Sequence, residues 1–137
     1  DRDGTKDSVA NIRDTGVFCV NTVAQAMLGA MNESSASLPY DVDEFVHAGL
    51  EKVQCETIDC PRVAGAPAAL ECKLTKIVPL DGVANIAIFG EVIGIYMDDD
   101  CIVDGTFDIT KFTPVGRLGY RDYADVQAPF ELRRPDD

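Results

Sequence analysis

At 137 residues, 46% of them hydrophobic and 7% aromatic, the chain has the length and apolar content to bury one core, which excludes an intrinsically disordered protein. Its 24 acidic residues against 12 basic ones leave a net charge of −12 at pH 7, which argues against nucleic acid or an anionic membrane as partner, since both need a basic face. No apolar run reaches the length of a membrane span and nothing at the start resembles a signal peptide, so a soluble, cytoplasmic protein is expected.

The first element in chain order is a helix over Lys6 to Asp14. Val9 and Ile12 form its narrow apolar face and Gly16 stops it. Thr5, Lys6, Asp7 and Ser8 stand at its mouth, where unpaired backbone N–H groups and the helix dipole favour an anion. Two readings of this mouth stay open: a phosphate site built on the lysine and two hydroxyls, or an ordinary surface helix with Thr5 as N-cap. Val17 to Thr22 reads as a buried strand, and the spacing of Ala26, Met27, Ala30 and Met31 predicts a second short helix between Val23 and Met31. The polar run from Asn32 to Val42 predicts a loop.

Asp43 to Ala48 is expected to form one or two helical turns, capped by Asp43 and closed at Gly49. Leu50 to Ala66 reads as irregular. In Ala68 to Val78, Leu70, Cys72 and Leu74 alternate with Glu71, Lys73 and Thr75, the period-two pattern of a half-buried strand. Ala84 to Met97 is apolar in both phases, so a strand there needs cover on both faces, by a helix or a partner subunit. This predicts a homodimer. Gly90 and Gly94 within that strand permit a bend or the close approach of a ligand or backbone.

The acidic runs Asp98-Asp99-Asp100 and Asp104 to Asp108 do not have the spacing of a calcium-binding loop and read as solvated turns. Asp108 to Thr113 is expected to form a short helix ended by Pro114. Residues 1–128 form the expected domain and 129–137 a charged tail. The five cysteines contain no Cys-x-x-Cys and the single histidine, His47, has no neighbouring ligands, so no metal site is expected. Cys19 and Cys72 read as buried apolar residues, while Cys55 and Cys60 are placed to pair under oxidation. Nothing pairs a nucleophile with a base, and no catalytic residue is assigned.

A series of short motifs along residues 5 to 126 resembles the flavin reductase-like, FMN-binding split-barrel family, which includes flavoredoxin-type proteins and the reductase component of nitrilotriacetate monooxygenase. They are Lys6-Asp7-Ser8 with Asn11-Ile12 and Thr15-Gly16, Phe18 to Asn21, Ala30-Met31-Asn32 with Ser34-Ser35, Asp43-Glu44-Phe45, and Ala48-Gly49-Leu50. Further on come Pro61-Arg62-Val63, Ala69-Leu70-Glu71-Cys72, Gly90-Glu91-Val92, and Arg117-Leu118-Gly119 with Tyr123. The resemblance implies a mainly β fold with short helices, an antiparallel Greek-key split barrel. Family members carry several strands ahead of the Lys-Asp-Ser helix, so the barrel is expected to be incomplete at its N-terminus.

The activity implied is hydride transfer from NAD(P)H to FMN, with reduced flavin passed to a partner monooxygenase. In such a protein the flavin ring carries the redox chemistry and the polypeptide binds and orients it. By the resemblance, Thr5, Lys6, Asp7 and Ser8 form the phosphate end of the FMN site. Asn21, Asn32 and Ser34 are candidates for ribityl or ring contacts, and Arg117 and Tyr123 for covering the flavin or meeting the nicotinamide. Two alternatives stand beside this reading: an FMN-binding electron carrier without NAD(P)H turnover, and an inactive partial domain.

Overall fold

The computed structural model describes residues 6–39 and 41–137. Helix α1 (Asp7–Thr15) starts after an extended Lys6 and ends at Gly16, whose left-handed φ of 73° lets its N–H reach Ile12 O. The N-cap is Lys6, not Thr5, which lies outside the described residues. Strand β1 (Val17–Asn21) follows directly and pairs antiparallel with β4 (Ala68–Pro79), which pairs in turn with β5 (Ile86–Met97) in a three-stranded sheet of order β1-β4-β5. As an edge strand β1 is only half-buried, where a buried one was expected.

Between Asn21 and β4 the chain folds as small units. A 3-10 turn at Gln25–Met27 leads into α2 (Leu28–Glu33), so the single helix expected over Val23 to Met31 is displaced toward the C-terminus and takes in the first residues of the expected loop. Tertiary pairing decides this: Ala24 bridges to Pro114, the Val115 N–H donates to Val23 O and the Gln25 N–H to Thr113 O, which holds residues 23–24 extended and delays the helix. Helix α3 (Glu44–Ala48) has the expected ends, with Asp43 accepting from the Phe45 N–H and Gly49 at φ 69°. Residues 50–66, read as irregular, contain a hairpin of β2 (Lys52–Gln54) and β3 (Pro61–Val63). Two three-residue strands carry too few residues for an alternating pattern to show.

Past β5 come the hairpin of β6 (Ile102–Val103) and β7 (Thr106–Phe107), a 3-10 turn at Ile109–Lys111 where a short helix was expected, and the hairpin of β8 (Val115–Arg117) and β9 (Tyr123–Asp125). Residues 129–137 are exposed and hold no strand or helix.

The β4–β5 ladder slips twice, at Glu71/Cys72 and at Leu74/Lys76. Each bulge shifts the side-chain phase of the strands. The alternation of β4 comes out differently from its sequence pattern because the chain between β2 and β3 covers the face that carries Glu71: Glu71 is 3% exposed while Leu70 is 37% exposed. On β5, Phe89, Val92, Ile93, Ile95 and Met97 are all exposed, so the strand that is apolar in both phases leaves Val92, Ile95 and Met97 uncovered on one face and Phe89 on the other, with Ile93 at a bulge. Its glycines serve close approach. A Cβ at Gly90 would stand 2.5 Å from the Phe18 ring, and one at Gly94 would stand 2.6 Å from Thr57 Oγ1.

Candidate functional site

The mouth of α1 opens on a hollow of about 490 Å³. Asp7, Ser8 and Asn11 of α1 form one wall, and residues 41–45, Lys52 and Pro61 the other. Lys6 and Ser8 are exposed beside it, and among the described residues the Lys6 side chain makes no capping bond. The first-turn amides, which have no acceptor inside the helix, together with a lysine and a serine hydroxyl make a donor set suited to a phosphate. Against it stand the carboxylates of Asp7, Asp41, Asp43 and Glu44. Lys52 offsets one of them, because it binds Asp43 Oδ2 and lies 5.0 Å from the centre of the Phe45 ring. That ammonium, with the Phe45 and Val46 amides, holds the Asp43 carboxyl below its ordinary value.

A second hollow of about 390 Å³ lies where the β2–β3 hairpin crosses the sheet, lined by Arg62, Glu71, Gly94 and Tyr96 among others. Glu71 is the best-connected side chain here. Its Oε1 accepts from the Glu56 N–H at 2.9 Å, and its Oε2 from the Thr57 N–H at 3.1 Å and the Thr57 hydroxyl at 2.9 Å. Burial pushes the carboxyl up, but these three bonds and the Arg62 charge outweigh it, so Glu71 sits below its ordinary value. The Arg62 guanidinium lies 3.5 Å above the Tyr96 ring. Asn21 belongs to this region: its Oδ1 accepts from the Val63 N–H at 2.9 Å and ties the hairpin to the end of β1.

The third region is a largely apolar recess of about 340 Å³ lined by Leu28, Gly29, Met31, Asn32 and Tyr123. Arg117 donates from Nη1 to the Tyr123 hydroxyl at 2.9 Å and from Nη2 to Tyr120 O, with its guanidinium 5.0 Å from the Tyr123 ring centre. The arginine thereby braces a turn in which Tyr120 has a φ of 55°. Ser34 donates its hydroxyl to Met31 O at 2.7 Å.

The residues singled out from sequence thus fall in three places. Asp7 and Ser8 share the α1 hollow, with Lys6 next to them in the chain; Asn32 and Tyr123 share the C-terminal recess, with Arg117 bonded to Tyr123; Asn21 stands apart at the hairpin, and Thr5 lies outside the described residues. Sequence reasoning assigned no role to Glu71, Arg62 or Tyr96. No local signal marked Glu71, since it falls in the polar phase of β4 with Lys73 and Thr75.

Residues 4–112 match the flavin reductase like domain. An uncharacterized protein of Halalkalibacterium halodurans is 34% identical over 97% of this chain. The chain spans 66% of that protein, just under two thirds of its length. Nitrilotriacetate monooxygenase component B from Bacillus cereus superposes with a TM-score of 0.86 at 28% identity, over 96% of this chain and 67% of that one. Flavoredoxin of Desulfovibrio vulgaris (Miyazaki F) gives 0.83 at 26% identity, over 98% and 71%. The fold these comparisons identify is mainly β with short helices, that of the split-barrel proteins.

Proposed function

The chain belongs to the flavin reductase like domain family, and on that premise we propose that it binds FMN as part of an NAD(P)H:flavin oxidoreductase. The observation that carries the reading is the α1 mouth: it lies inside the matched region and offers the donors an FMN phosphate needs, a lysine, a serine hydroxyl and the first-turn helix amides. Lys6 supplies charge, Ser8 donates a hydrogen bond, and Thr5 extends the set. Asp7, in the same turn, contributes its backbone N–H, since its carboxylate would repel a phosphate.

Asn32 and Tyr123 offer one amide and one ring in an apolar recess, a surface suited to a planar group. Arg117 positions Tyr123 there, while Asn21, bonded at the hairpin, and Ser34, bonded to Met31 O, are proposed as ribityl contacts through the polar atoms those bonds leave over. When bound, FMN supplies a ring that accepts a hydride from the nicotinamide. The chain's own part is to hold two planar groups face to face and keep water from between them. Reduced flavin then passes to a partner monooxygenase in the cytoplasm, a reading supported by the likeness to a monooxygenase component B.

The likeness to a flavoredoxin supports a second reading, an FMN-binding electron carrier without nicotinamide turnover. One experiment separates them. FMN is titrated into the protein and its absorbance followed, first alone and then with NADH or NADPH. Bound flavin that bleaches with NAD(P)H is expected; bound flavin that stays oxidised selects the carrier; and no binding at ten times the protein concentration would sink both.

The functional unit we propose is a homodimer. The chain exposes 10057 Å², whereas a folded monomer of this size exposes roughly 7,000 Å². The excess exceeds what a stable interface buries, about 1,600 Å², and the uncovered apolar face of β5 is where a second copy fits. Light scattering is expected to give twice the chain mass. A monomer mass at 100 μM would remove the proposal.

A further inference from the structure

Among the described residues, three other than glycine hold a left-handed backbone: Ala84, Asp104 and Tyr120, at φ 57°, 51° and 55°. Each sits in a turn between paired strands. Alanine is small and aspartate tolerates this region, but a bulky aromatic residue is strained there. The turn over residues 118–122, between β8 and β9, has a glycine of its own, yet the positive φ falls on the residue after Gly119. Packing does not offset the strain, since Tyr120 is 94% exposed.

Hydrogen bonds hold the conformation instead. The Leu118 N–H donates to Asp122 O at 2.9 Å and the Asp122 N–H to Gly119 O at 3.0 Å, while Arg117 Nη2 donates to Tyr120 O. The other arm of that guanidinium, Nη1, donates to the Tyr123 hydroxyl at 2.9 Å. One planar group thus ties the Tyr120 main chain to the residue that lines the apolar recess with Leu28, Met31 and Asn32. The Tyr120 ring hangs unpacked from a braced turn, one guanidinium away from Tyr123. A glycine would fit this backbone at no steric cost but would carry no ring.

We infer that Tyr120 is a flavin-contact residue, whose ring closes over the isoalloxazine held in the recess. This rests on the FMN-binding reading and adds to it a residue that stands between the motif residues Arg117-Leu118-Gly119 and Tyr123. A phenol suits the role, because it offers a flat face to an aromatic ring and only two side-chain torsions are fixed on contact. A turn already locked by Arg117 needs little further ordering when the ligand arrives.

The test compares FMN binding, thermal stability and tyrosine ring resonances in the unsubstituted chain, Tyr120→Gly and Tyr120→Phe. Tyr120→Gly relieves the backbone and removes the ring, so its melting temperature should hold or rise while the FMN dissociation constant rises about tenfold, the worth of one aromatic contact. A ring kept for folding would lower the melting temperature when lost. Tyr120→Phe should bind FMN within about threefold, because the flat face stays. The chain has four tyrosines, so ring-labelled tyrosine gives few NMR signals, and the one missing in Tyr120→Phe belongs to Tyr120. On adding FMN that signal should move upfield under the flavin ring current. A Tyr120 signal that stays in place while FMN binds, Tyr120→Gly binding FMN within about twofold of the unsubstituted chain, or a melting temperature lowered by the glycine would each overturn the assignment. No FMN binding by the unsubstituted chain would remove the FMN reading together with this one, whereas binding untouched by either substitution removes the role of Tyr120 alone.

Discussion

Replacing Glu71 with alanine is expected to destabilise the chain by about 3 kcal/mol, because it strands three donors in a place cut off from most water. The Glu56 and Thr57 amides and the Thr57 hydroxyl all end on this one carboxylate, which is 3% exposed. An orphaned buried donor costs about 1 to 3 kcal/mol, and the adjacent hollow admits water to part of the cluster, so the sum stays near the lower figure for each. Glu71→Gln keeps one acceptor oxygen but turns an NH2 toward amide donors, and is expected to lose about 2 kcal/mol. Urea unfolding followed by circular dichroism reads both, and a loss under about 1 kcal/mol for alanine would refute the clamp.

The same carboxylate makes stability depend on pH in a defined direction. Its folded value lies below the ordinary 4.5, so the folded state binds its proton less readily than the unfolded chain does. The stabilisation is complete above pH 4.5 and is lost as pH falls through the folded value. Glu71→Gln should flatten the acid limb of the stability curve below pH 4.5. If the two curves run parallel, the carboxylate is not the group responsible. Hydrogen exchange localises the effect, since faster exchange is expected in β2 and β3 before the β4–β5 core opens.

Lys6→Glu is expected to weaken FMN binding roughly 30-fold while leaving riboflavin binding unchanged. Reversing an exposed charge beside a phosphate removes one attraction and adds one repulsion, each about 1 kcal/mol at a surface position, and 2 kcal/mol is about 30-fold in affinity. The carboxylates of Asp7, Asp41, Asp43 and Glu44 surround the same hollow, and Lys52, the one cation among its described lining residues, is engaged by Asp43. Lys6→Arg should bind within a few-fold of the unsubstituted chain. Fluorescence titration with FMN and with riboflavin checks this, and equal losses for both flavins would place the phosphate elsewhere. The effect should shrink as salt is raised from 0.05 to 0.5 M.

Elements governed by local chemistry are legible in the amino-acid sequence. Gly16 and Gly49 close α1 and α3 because left-handed backbone is easiest for glycine, and Asp43 caps α3 because a short carboxylate reaches the Phe45 amide. The long strands β4 and β5 follow from their apolar content, and the family follows from motifs spread over the chain. The hairpin of β2 and β3 is not legible there, since three-residue strands show no period and Pro61 reads as a breaker. Nor is the mutual bracing of Arg117 and Tyr123, which reduces their freedom to meet a ligand.

What the sequence determined by itself is the C-terminal end of α1, both ends of α3, the two long strands and the family, because each rests on neighbours close in the chain or on a motif kept in order. What only the tertiary structure decided is which face each side chain takes. The chain between β2 and β3 lies over the face of β4 that carries Glu71, so a glutamate is buried while Leu70 on the opposite face is left 37% exposed, and the buried carboxylate in turn holds the Glu56 and Thr57 amides. Which strand face is covered is set by segments distant in the chain, which no local alternation records.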